Sequence, residues 1–207
     1  MTKTSAGAGR RRCWWCGEDE LYVAYHDGEW GFPVADDRRL FEKVCLEGFQ
    51  AGLSWLTILR KRESFRAAFA NFEFDRVAQF SARDIDRLLG NAAIVRHRGK
   101  IESTINNAKR AQEIAGEFGS LAAYFWRFEP GPATRPAKIT REVLAAMPAS
   151  AEAVALSRDL KKRGWTFVGT TTIYAFMQAM GLVNDHVHAC SVHAEAVRAR
   201  AKFKPPR

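Results

Sequence analysis

The chain has 207 residues, of which 47% are hydrophobic, 12% aromatic and 27% charged, a balance that supports a buried core and excludes global disorder. Lysine and arginine outnumber aspartate and glutamate by 32 to 23, a formal charge of +9 that favours a polyanionic partner. The longest apolar runs, such as 121–126, are too short for a bilayer, no apolar segment follows the early arginines, and four cysteines make no disulfide scaffold, so a cytoplasmic protein without membrane contact is expected.

Residues 1–12 read as a disordered basic tail, 13–193 as one domain and 194–207 as a basic C-terminal extension. Leu40, Val44 and Ala51 share one helical face, and Ser54 can cap the next helix, carrying Leu56, Leu59, Phe65 and Phe69. Ser81 and Asp84 have the spacing of a capping box before Ile85, Leu88 and Leu89. A turn at 90–93 then leads to a helix over about 98–117, with Ser120, Thr140 and Ser150 as further N-caps. Pro130, Pro132 and Pro136 mark an irregular loop, and Gly164 and Gly181 look like helix stops. Alternating strand patterns are nearly absent, so the fold class is all-α, a bundle of short helices.

Glu47 follows Leu40 and Val44 at i+7 and i+3, which puts a carboxylate on the apolar stripe. Such a group must be paired, metal-bound, protonated or waiting for a ligand, because an unpaired buried charge costs several kcal/mol. Trp55 lies eight residues on, and Tyr22, Tyr25 and Trp30 fall within one eleven-residue stretch. The set suits a slot for a planar heterocycle with amino groups facing the carboxylate, or a plain aromatic core.

Candidate metal ligands gather only near the two ends: Cys13, Cys16 and His26, then His186, His188, Cys190 and His193. Two from each end would complete a closed, structural Zn²⁺ site, tying together a loop whose closure is worth about 5 kcal/mol. A Cys13–Cys16 redox motif and inert thiols are the alternatives. Two basic stretches point to phosphates: 96–100 (Arg96, His97, Arg98, Gly99, Lys100) between two helices, and Lys161-Lys162-Arg163 followed by Thr170 and Thr171 at a helix start.

The segments 21–31 (LYVAYHDGEWG), 46–55 (LEGFQAGLSW), 96–100 (RHRGK), 160–171 (LKKRGWTFVGTT) and 181–186 (GLVNDH) closely resemble the DNA-3-methyladenine glycosylase I family. The likeness runs in order from about Cys13 to Cys190. It implies a helix-hairpin-helix base-excision repair fold with a zinc snap held by Cys13, His26, His186 and Cys190. It also implies that Glu47 and Tyr25 hydrogen-bond the damaged base, that Trp55 stacks on it, and that Tyr22 and Trp30 shape the pocket. Gly52 and Leu53 would fill the gap left in the duplex, and 92–100 would be the hairpin. The expected activity is hydrolysis of the N-glycosidic bond of 3-methyladenine in double-stranded DNA by a monomer, without strand cleavage. A non-catalytic binder of alkylated DNA with the same fold is the rival, and a zinc-stabilised helical DNA-binding module a more distant one. Asp185 is the nearest candidate for activating water, or else orients a metal-bound histidine.

Overall fold

The structure, a computed structural model, describes residues 9–206, so most of the tail expected at 1–12 lies outside the described residues. The described residues form twelve α-helices and two short 3-10 turns, with no strand among them, as the all-α expectation requires.

Helix α2 (Asp37–Gln50) is the axis, in contact with α3 (Trp55–Arg60), α7 (Arg98–Phe118), α8 (Leu121–Trp126) and α11 (Thr170–Ala179). Asp36 starts it by accepting from the Arg39 amide at 2.8 Å. Every residue from Leu40 to Phe49 is buried, Glu42, Lys43 and Glu47 included. The sequence suggests one apolar stripe and a wet face. A helix enclosed on all sides has no wet face, so its polar residues go inside too and must find partners there. Glu42 finds Arg66 at 2.8 Å, and Lys43 and Glu47 find each other at 2.8 Å.

The local signals hold at most boundaries. Ser54, Ser120, Thr140 and Ser150 each accept from the amide three residues on, at 3.2, 2.9, 3.3 and 3.2 Å. Asp84 accepts from the Ser81 amide at 2.9 Å and opens α6 (Ala82–Gly90). The expected helix at 98–117 is α7, one residue longer. Gly181 sits at φ 76°, and a Cβ there would come within 2.4 Å of the Phe32 carbonyl carbon. Only glycine allows that approach, which brings the stretch of chain after α1 (Glu20–Gly28) against the end of α11.

The described residues near both ends make specific contacts. Arg12 pairs with Asp27 at 2.7 Å, and Arg10 reaches both Asp27 and Glu195. The extension expected at 194–207 is mostly α12 (His193–Lys202), which buries Ala196. It is followed by Phe203 against Trp126, ring centres 4.6 Å apart, while Arg200 pairs with Glu129 at 2.5 Å.

Candidate functional site: an aromatic cleft beside a cysteine–histidine cluster

A cleft of about 540 Å³ opens where α1, α2, α3 and α11 meet. Helix α1 supplies Tyr22 and Tyr25, the loop after it Trp30, α2 Glu47 and Gln50, and α3 Trp55. All five residues expected at the base, Glu47, Tyr25, Trp55, Tyr22 and Trp30, therefore line one cavity. The rings touch in sequence: Trp30 to Trp15 at 4.8 Å between centres, Trp15 to Tyr22 at 5.2 Å, Tyr22 to Tyr25 at 6.4 Å and Tyr25 to Trp55 at 5.4 Å. Glu47 is 6% exposed and is the one carboxylate among the lining residues.

The two phenols of this wall keep their protons. Burial, with Cys16 and Glu47 nearby, pushes the Tyr22 phenol up to about 12, and burial raises Tyr25 well above its ordinary value. Lys43, not singled out from the sequence, enters from behind. Its Nζ lies 2.7 Å from the Tyr25 hydroxyl oxygen, to which it donates, and 3.3 Å from the centre of the Trp55 ring. Burial lowers its pKa although Glu47 pulls the other way. Since the Tyr25 oxygen accepts from Lys43, its own hydrogen remains to be donated elsewhere.

Apart from Thr171, expected at phosphates, the opposite wall was not legible from the sequence. It comprises Trp14, Thr171, Tyr174, Gln178 and, from α9 (Arg141–Ala146) and its exit, Arg141 and Met147. Trp14 and Trp15 stand between two cysteines, and the aromatic density there is a signal that the thiol spacing obscured. Asp185 is fully buried beneath this wall, held by Tyr174 at 2.7 Å, Gln178 at 2.8 Å and Arg135. With its oxygens so committed, and with no bond to the His186 ring, it fits neither of the two roles expected for it.

Cys13, His26, His186 and Cys190 converge behind Trp30, their ligand atoms all within 4.8 Å of one another and all four residues buried. Three sulfur–nitrogen pairs, Cys13–His186, Cys190–His26 and Cys190–His186, each measure 3.6 Å. An ion at about 2.3 Å from sulfur and 2.0 Å from nitrogen sets tetrahedral edges of about 3.5 Å, so the donor set fits Zn²⁺ in spacing and softness. The outward nitrogens are held as such a site requires: His26 Nδ1 on Asp27 at 2.7 Å and His186 Nε2 on the Trp30 carbonyl at 2.9 Å. A hydrogen bond from Cys13, opposed by burial and reinforced by both histidines, pushes the Cys190 thiol down, while the same bond pushes Cys13 up. Cys16 is buried but not part of the group, which removes it as a rival ligand.

The basic segments divide. Gly52 and Leu53 stand exposed at the cleft mouth, in a shallower recess of about 180 Å³ that also contains Glu47, Thr171 and Thr172. Thr170 opens α11 beside them, half-buried. Arg96, His97 and Arg98 are exposed between α6 and α7, with Gly99 half-buried, and Lys61 Nζ ties down the Ala92 and Ala93 carbonyls at 3.3 and 3.1 Å. Lys100 departs from expectation. It is 7% exposed, and its Nζ donates to the carbonyls of Phe49 and Ala51 at 2.9 and 2.6 Å, closing the end of α2 instead of facing outward. His97 caps α7 by accepting from the Lys100 amide at 3.3 Å. Lys161 and Lys162 are exposed at the end of α10 (Ala151–Lys162), whereas Arg163 is taken by Asp159 and Glu117.

A family model described as methyladenine glycosylase matches residues 15–194. DNA-3-methyladenine glycosylase 1 of Escherichia coli is 48% identical over 180 residues, 86% of this chain and 95% of its own length. DNA-3-methyladenine glycosylase of Haemophilus influenzae is 47% identical over 184 residues, covering 86% and 96%. A Staphylococcus aureus 3-methyladenine DNA glycosylase I, solved to show how it recognises 3-methyladenine, superposes with a TM-score of 0.81 at 36% identity, covering 89% of this chain and 97% of that one.

Proposed function

The chain belongs to the methyladenine glycosylase family, and from that membership and the cleft we infer that it is a DNA-3-methyladenine glycosylase, a hydrolase of the N-glycosidic bond in alkylated DNA. The observation that carries the chemistry is Glu47: a carboxylate 6% exposed, opening on an aromatic cavity large enough for a purine. Methylation at N3 makes adenine cationic. That weakens the glycosidic bond and makes the base a good leaving group, so strong acid catalysis is not needed. A desolvated anion attracts such a base more than neutral adenine, and stacking on Trp55 adds about 0.5–2 kcal/mol of cation–π attraction.

Residue roles follow from position. Glu47 binds and stabilises charge; it is not a covalent nucleophile. Tyr25 donates its remaining hydrogen to the base, and Tyr22 and Trp30 close the slot. The glycosidic bond is out of reach inside a double helix, so the nucleotide is extruded at a cost of a few kcal/mol, about the cost of unstacking one base. Leu53, 42% exposed at the cleft mouth, is placed to occupy the vacated stack with Gly52. Arg96, His97, Arg98 and Gly99 in the hairpin, with Lys161, Lys162, Thr170 and Thr171, contact phosphates around it. Cys13, His26, His186 and Cys190 hold one structural Zn²⁺; with four protein ligands the ion has no position for a reactant and serves to fix α1 and Trp30. The protein acts as a monomer in the cytoplasm on double-stranded DNA.

The deciding experiment is incubation with methylated duplex DNA followed by chromatography of the freed bases. Release of 3-methyladenine is the expected result. Binding without release would turn the assignment into a non-catalytic binder of alkylated DNA.

A further inference from the structure

The recognition scheme leaves the Lys43 ammonium without a task. Its Nζ lies 2.8 Å from Glu47 Oε1, 2.7 Å from the Tyr25 hydroxyl oxygen and 3.3 Å from the centre of the Trp55 ring. These are the three side chains assigned to the lesion: carboxylate for its charge, phenol for a hydrogen bond, indole for its face. One ammonium engages all three. Its place is imposed by the fold, because Lys43 stands one turn before Glu47 in a helix buried on every side.

There is also somewhere for it to go. A small cavity of about 20 Å³ lies behind the wall, bordered by Lys43, Tyr25 and Trp55 and by Glu29 and Glu42 together with Arg39, Arg62 and Arg66. Glu29 is paired with Arg62 at 2.7 Å and Glu42 with Arg66 at 2.8 Å, so a withdrawn ammonium would have to join one of these existing ion pairs.

We propose that Lys43 is a specificity-determining residue: its ammonium is the resident occupant of the cation subsite, keeping Glu47 paired while no lesion is bound, and it gives way only to a base that brings its own positive charge. A neutral purine offers Glu47 no replacement for the ion pair and meets a filled subsite. A cationic purine replaces like with like, and the ammonium moves toward Glu29. The proposal rests on the glycosylase reading of the cleft given above.

The test uses the 3,9-dimethyladenine cation, whose charge is fixed near neutral pH. Its affinity is measured for the unaltered protein and for Lys43→Met and Lys43→Gln between pH 6 and 9. With the competitor gone, each variant that melts cooperatively should bind the cation at least tenfold more tightly at its best pH than the unaltered protein does. Equal or weaker binding overturns the proposal. A crystal structure of the unaltered protein with the cation bound gives an answer independent of the variants' folding. Nζ should have left the Trp55 face for the Glu29 side, and Nζ still over Trp55 overturns it. Release of 3-methyladenine by the unaltered protein, with no gain in the variants, would defeat this proposal alone; absence of both release and cation binding would defeat the reading of the cleft as well.

Discussion

His186 Nε2 lies 2.9 Å from the carbonyl oxygen of Trp30, and the two rings meet edge to face with centres 4.7 Å apart. A ring that faces the cysteine–histidine cluster with one nitrogen thus holds a wall of the aromatic cleft with the other.

Metal and cleft should therefore fail together. Elemental analysis should find one zinc per chain. Exhaustive chelation should lower the thermal midpoint by about 10–20 °C, the equivalent of about 5 kcal/mol in a chain of this size. Chelated protein should also lose binding of free 3-methyladenine, read by tryptophan fluorescence; a stable metal-free protein would reject the snap.

Glu47→Gln should keep its helical circular dichroism and release 3-methyladenine about 100-fold more slowly, since about 2.7 kcal/mol of charge stabilisation disappears with the anion. The chromatographic assay measures this directly. Undiminished release would remove Glu47 from the mechanism.

The lysines should separate by what their ammonium groups touch. Neutralising exposed Lys161 and Lys162 as glutamines should reduce the slope of log affinity for DNA against log salt by about 1 for each phosphate that a lysine no longer neutralises. Lys100→Met should leave that slope unchanged and cost about 2 kcal/mol of unfolding free energy in urea, because two carbonyls at the end of α2 are deprived of a charged donor.

Acid should loosen the fold through paired carboxylates. Burial alone would raise Glu29, but its two bonds to Arg62 prevail and hold it below 4.5; Asp159 is likewise held below 3.8 by Arg163 and Tyr124 against burial. A carboxylate whose folded value is depressed binds fewer protons folded than unfolded, so its stabilisation is complete above the unfolded value and is lost as pH falls through the folded one. Urea midpoints should be flat from pH 7 to about 5 and drop steadily toward pH 3. Arg62→Met should flatten the part of that drop due to Glu29.

What the sequence made legible was local or strongly patterned. Caps such as Ser54 and Ser150 act over three residues, so their spacing is the structure. Glu47 beside clustered aromatics suggested a slot or a plain core and seven candidate ligands gathered at the two ends suggested a metal site; the family likeness chose the cleft and the four ligands. The far wall was not legible, because Arg141 and Met147 join Glu47 across more than ninety residues of chain with no period to link them. Lys43 was missed for a different reason. Its i,i+4 relation to Glu47 was in plain view, but a stripe drawn from apolar residues assigns a lysine to solvent, and only the enclosure of α2 puts it inside. Lys100 was misplaced in the same way: a lysine in a basic run looks outward until a helix end is found within its reach.

The convergence of Cys13 and His26 with His186 and Cys190 also sets an order on biosynthesis. Cys13 and His186 are 173 positions apart, so the ligand set is incomplete until residue 190 has left the ribosome. The helix bearing Tyr22 and Tyr25 is thus made long before its His26 can meet His186 and Cys190. A nascent or prematurely terminated chain that stops short of His186 would carry Tyr22, Tyr25 and Trp30 without the His186 ring that packs against Trp30.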